Sequence, residues 1–147
     1  MFPWVDRRPR AGLTLIELML VVTVLAILIV MAIPFFVNSK KQANETSAIA
    51  SLKAITLVEN QYRTRFGSFG GLADLLGGGY LDSGFDDSQK SGYEFAESGR
   101  ITPGAWAFTA EPLTPGTSGD RWFYVDVSGV IRFHQGGPAN SSDSAIE

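Results

Sequence analysis

Hydrophobic and polar positions divide the chain into stretches of different period. From Leu18 to Val37, twenty residues run without a charge and with Thr23 as the only polar member, long enough to cross a hydrocarbon core as a helix. After Val37 the sequence turns polar at Asn38-Ser39-Lys40-Lys41-Gln42, yet no breaker appears before Gly67, so the helix is expected to continue into water over residues 38–66. There Ala48, Leu52, Ile55, Tyr62 and Phe66, with Ile49 and Val58 beside them, share one face. This is the amphipathic pattern of a core-facing stripe. A helix from Leu13 to Phe66 would extend for about 80 Å at 1.5 Å per residue, well beyond one membrane thickness. Its second half therefore needs a covering element.

That element is expected after a glycine-rich break. Gly67, Gly70 and Gly71 end the helix, Leu72 to Leu76 suits one short helical turn, and Gly77-Gly78-Gly79 breaks the chain again. Four segments then alternate as strands do: Tyr93–Ala96, Ala105–Ala110, Trp122–Val127 and Val130–His134. Their inward set is Tyr93 and Phe95, Trp106 and Phe108, Phe123, Val125 and Val127, then Ile131 and Phe133. Ser128-Gly129 suits a tight hairpin between the last two. The fold class is α+β, a long N-terminal helix whose second half packs on a small antiparallel sheet of about four strands. Glu111 to Asp120 reads as a long surface loop, and residues 136–147, with glycine, proline, serine and asparagine and little to bury, as a mobile or loosely docked tail.

Charge sets the orientation. Residues 1–12 carry Arg7, Arg8 and Arg10 against Asp6 alone, a basic flank expected to stay in the cytoplasm, with the C-terminal part across the membrane. Lys40 and Lys41 weaken that asymmetry without reversing it. A secretory signal would pair a shorter apolar region with a small-residue cleavage site behind it. The formal net charge of the 147 residues is −3, and without the leader the side chains sum to −5. General nucleic-acid binding by net charge is thereby disfavoured. With no cysteine, disulfides and thiolate metal sites are excluded.

The basic leader ending in Gly12, then Leu13-Thr14-Leu15-Ile16-Glu17, then the apolar run with Pro34 near its far end, resembles the N-terminus of type IV pilins and pseudopilins. Leu13 departs from the phenylalanine most common there. The resemblance implies a pilin-like fold and a prepilin peptidase that cuts between Gly12 and Leu13 and methylates the Leu13 amine. It implies removal of 1–12, a membrane and polymerisation helix over 13–37, its amphipathic continuation over 38–66 and a β-sheet head over 67–135. It further implies a homo-oligomeric helical filament, an assembly ATPase and an inner-membrane platform protein. The location implied is the bacterial inner membrane as a single-pass precursor, then a surface pilus, or a periplasmic pseudopilus of a type II secretion system.

Two residues stand out within the apolar helix. Glu17 either sits near enough to the membrane edge to reach water or, once cleavage creates a positive Leu13 amine, pairs with the amine of a neighbouring subunit, which offsets the desolvation of both charges. Pro34 removes a helix hydrogen bond. It is either a kink tolerated in a membrane helix or, as the resemblance suggests, part of a stretch from Ala26 that unwinds when subunits pack.

No catalytic constellation or cofactor motif is present, so a structural subunit and not an enzyme is expected. His134 is the only histidine and reads as a strand or surface residue. Asp82, Asp86 and Asp87 could offer oxygens to calcium, but their spacing is not that of an EF-hand, and solvated loop acids are the default. Trp106, Trp122 and Tyr124 read as sheet packing, since Arg121 alone interleaves with them. The expected function is a pilus-like filament subunit, a major pilin, serving adhesion, motility or DNA uptake. The alternatives are a secretion pseudopilin and a monomeric signal-anchored periplasmic binding module.

Overall fold

The computed structural model describes residues 12–82, 84–85 and 88–146. Helix α1 (Leu15–Phe66) is followed by a short α2 (Leu72–Gly77) and six strands: β1 (Gln89–Lys90), β2 (Tyr93–Glu97), β3 (Ala107–Pro112), β4 (Arg121–Asp126), β5 (Arg132–Gln135) and β6 (Ser144–Ala145). The chain divides into two units at Phe36/Val37, and α1 runs through both. In the second unit all six strands are antiparallel and follow chain order across one sheet. The expected α+β layout is present, with two more strands than the alternation suggested.

One face of the second half of α1 meets one face of the sheet. Ala48, Leu52, Ile55 and Val58 are buried on the helix, opposite Tyr93, Phe95, Phe108, Phe123 and Val125. The strands alternate because successive side chains point to opposite faces. Thus Tyr93 and Phe95 are buried while Glu94 and Ala96 are exposed. Phe69, Leu72 and Leu75 close one end of the core from the glycine loop and α2. Trp106 lies just before β3, edge-on to Phe69 at 6.1 Å and tilted against Phe108 at 5.7 Å between centroids.

Several expectations change. Val127 falls in the turn after β4 and is exposed, because Gly129 N–H closes that turn onto Asp126 O at 2.8 Å. Phe133 is only half-buried. Phe66, expected on the core stripe, is exposed; it stacks on Tyr62 at 4.4 Å beside Tyr80 instead. The strand β1 was not legible as alternation because it has two residues, yet the turn behind it carries a signal. Ser91 and Gly92 both have positive φ, 50° and 76°, as a two-residue type I′ hairpin requires. Residues 136–146, expected to be mobile or loosely docked, supply β6: Ser144 pairs with Phe133, Ile146 N–H donates to Ile131 O at 2.9 Å, and Ala139 is buried.

A buried contact sits where the long loop enters β4. Tyr93 is fully buried, and its hydroxyl donates to Arg121 O at 2.8 Å. Burial first, then the Glu45 charge, raises the pKa of this hydroxyl above its ordinary value, which keeps it a donor. Gly119 lies so close that an added Cβ would run into that hydroxyl and approach the ring Cε2 to 2.9 Å. Gly119→Ala should therefore destabilise the head by about 1–3 kcal/mol, the usual cost of forcing volume into a packed site. Gly104→Ala, where nothing lies within 4 Å of an added Cβ, should melt like wild type. Thermal unfolding of the full chain in detergent, followed by near-ultraviolet circular dichroism, checks both, and equal melting of the two variants would refute the account.

Candidate processing and assembly segment

In the first unit, Gly12, Leu13 and Thr14 precede the helix and adopt no regular structure. A peptide bond between Gly12 and Leu13 is thus outside the helical hydrogen-bond ladder, and Leu13 is exposed. The helix starts here because Thr14 caps it. Thr14 O accepts Leu18 N–H at 3.1 Å, and its side-chain Oγ1 accepts Glu17 N–H at 3.3 Å. Threonine at the N-cap with glutamate three residues on is the spacing of a capping box. Glu17 thereby sits in the first turn, where an acid is favoured by the positive end of the helix dipole. No ion pair to Glu17 occurs among the described residues.

From Gly12 to Phe36 every residue is exposed. The stretch is long and apolar enough to cross a membrane. Thr23 spends its hydroxyl on its own helix, donating to Met19 O at 2.8 Å, which satisfies the one polar side chain of the run. Pro34 lies inside α1, and the helix is continuous through it. The structure therefore brings Leu13 and Glu17 together at one helix end and places Pro34 five turns away.

The other singled-out residues are accounted for within the head. Asp82 pairs with Lys90 at 2.8 Å, and that hydrogen bond holds its carboxyl below the ordinary value. Asp86 and Asp87 lie outside the described residues, and among the described residues no group of three acids, histidines or cysteines could hold a metal. His134 on β5 places Nδ1 3.1 Å from Asp143 Oδ1. Arg121 covers the Phe123 and Phe133 rings, each at 5.4 Å, and its Nε–H donates to Glu45 Oε2 at 2.8 Å.

Two acids escaped the sequence reading. Glu45 also accepts Asp120 N–H at 2.9 Å, so it ties α1 to the start of β4. Glu59 is fully buried and accepts Gly70 N–H at 3.1 Å. A signal for both existed: positions 45, 48, 52, 55 and 59 continue one helical face, so the core stripe itself begins and ends on a glutamate.

A family model described as the prokaryotic N-terminal methylation motif matches residues 7–33. This is the signal peptide of type IV pilins and pseudopilins, and the chain carries it. The match supports a member of the pilin or pseudopilin family and fits a membrane-anchored precursor. No curated protein matches the chain significantly.

The cap can be tested on its own. Thr14→Ala should raise amide exchange at Glu17 and Leu18 about fivefold in the detergent-held chain, corresponding to roughly 1 kcal/mol of lost capping. Thr14→Ser should restore protection. Equal exchange in all three proteins would show that Thr14 does not set the helix start.

Proposed function

We propose that the chain is a structural subunit, a major pilin, of a type IV pilus-like filament, cut between Gly12 and Leu13, methylated on Leu13 and polymerised through the helix from Leu13 to Val37. The observation that carries the reading is the methylation motif at residues 7–33 leading into a helix whose first part is apolar and exposed throughout. A helix of that composition needs either lipid around it or other copies of itself. Lipid surrounds it before assembly, and neighbouring helices replace lipid afterwards. Repeating one head-to-tail contact without closure gives a helical polymer.

Cleavage also gives Glu17 a task. A new ammonium at Leu13 would sit at the positive end of the α1 dipole, where a cation is disfavoured, and the acid one turn along is the complementary charge. Pairing a neighbour's amine with Glu17 removes both problems as the helices leave lipid and sets the axial step between subunits. Pro34 then permits the stretch from Ala26 to lengthen under packing, since its own ladder hydrogen bond is already missing. The peptidase, an assembly ATPase and a membrane platform protein would act on this chain as their substrate.

The pilin is favoured over the secretion pseudopilin by the C-terminal segment. Asp143, which accepts Asn140 N–H at 2.7 Å and lies against His134, is the one side-chain acid among the described residues of that segment, fewer than the calcium loop that some pseudopilins carry would use.

Sheared surface fibres, examined by electron microscopy and intact mass, test the reading. The expected subunit starts at a methylated Leu13. Glu17→Ala should be processed and membrane-resident but should enter fibres at least tenfold less often. Normal fibre yield from that variant would remove the pairing role of Glu17. Fibres confined to the periplasm would transfer the chain to the pseudopilins, and an uncut membrane monomer would transfer it to the anchored binding modules.

A further inference from the structure

The loop between α1 and α2 is held by the chain's own acids. Three consecutive amides each donate to a different carboxylate from a different element: Gly70 N–H to Glu59 Oε2 of α1 at 3.1 Å, Gly71 N–H to Asp74 Oδ2 of α2 at 3.1 Å, and Leu72 N–H to Glu97 Oε1 of β2 at 2.8 Å. Gathering three acids of like sign on one short stretch of backbone sets their attraction to the amides against mutual repulsion.

Glu59 is where that balance is most exposed to pH. Its side chain is fully buried, Oε2 holds Gly70 N–H, and Oε1 is buried with no hydrogen-bond partner. A charged oxygen without a donor is costly in such a place, whereas a neutral carboxyl is tolerated. The charges acting on it from the packed elements are both negative, Glu97 from β2 and Asp74 from α2. Arg63, one turn along α1, lies instead over the Phe69 ring at 5.0 Å. Burial first, then those two acids, raise the Glu59 pKa from 4.5 to about 7, with the Gly70 amide opposing them.

We propose that Glu59 is a proton-controlled latch on the α1–α2 loop: neutral, it lets three acids share three amides and keeps the loop on the core; ionised, it favours an open loop. Opening uncovers Phe69, Leu72 and Leu75, which are otherwise buried. The inference is independent of the filament reading, since it concerns the head alone.

Because the closed loop prefers the neutral form, closure is strongest below about pH 4.5, weakens as pH rises to about 7 and is level above that. Hydrogen exchange of the full chain in detergent, corrected for intrinsic rates, reads this out. The opening constant of peptides from residues 67–77 should rise about 100-fold between pH 4.5 and 7.5, at tenfold per pH unit over most of the window. Peptides from β3 and β4 should not follow. Glu59→Gln keeps an acceptor for Gly70 N–H and cannot ionise, so its loop should stay closed at every pH. A flat wild-type profile, the same slope in Glu59→Gln, or parallel opening of β3 and β4 would each overturn the latch. Should Glu59→Gln fail to fold, Glu97→Gln decides: removing one neighbouring charge must move the upper limit of the rise to lower pH, and an unmoved limit overturns the proposal.

Discussion

A long helix with an apolar surface must have that surface covered, and this chain supplies cover for only part of its helix. Over the second half of α1, Ala48, Leu52 and Ile55 are removed from water by the aromatic face of the sheet. Leu52 and Ile55, both fully buried, each contribute on the order of 1.5–3 kcal/mol, so the sheet and the helix stripe stabilise each other. Over the first half, from Leu15 to Phe36, every residue is exposed. That half needs a different apolar environment to leave water, so one helix is covered from within the chain over one half only.

Polar groups at the margins of these apolar surfaces do the positioning. Thr14 starts the helix and places Glu17 in its first turn. Glu45 fixes the helix to the beginning of β4 through Asp120 N–H and Arg121, and Glu59 fixes the glycine loop. Burying an acid is unfavourable without partners. Glu45 has two strong donors and is well supported, while Glu59 has one and leaves an oxygen unsatisfied. The two ends of the same stripe therefore differ in how firmly they hold what they touch.

The hydrophobic pattern by itself determined the membrane stretch, the amphipathic continuation, the four longer strands and the α+β class, because each rests on a local period of many residues. The N-terminal methylation motif was equally legible, since residues 7–33 that carry it are contiguous in the chain. Short elements were not: β1 and β6 have two residues each, too few for a period, and exist because a neighbouring strand offers an edge. Only tertiary structure decided that Phe66 and Val127 face solvent, that the C-terminal segment docks through Ile146, and that Glu59 meets Glu97 and Asp74 across three elements. The docking of Ile146 and the meeting of Glu59 with Glu97 depend on contacts between residues far apart in the chain, which local spacing does not encode, while Val127 turns outward at the Asp126–Gly129 turn that ends β4.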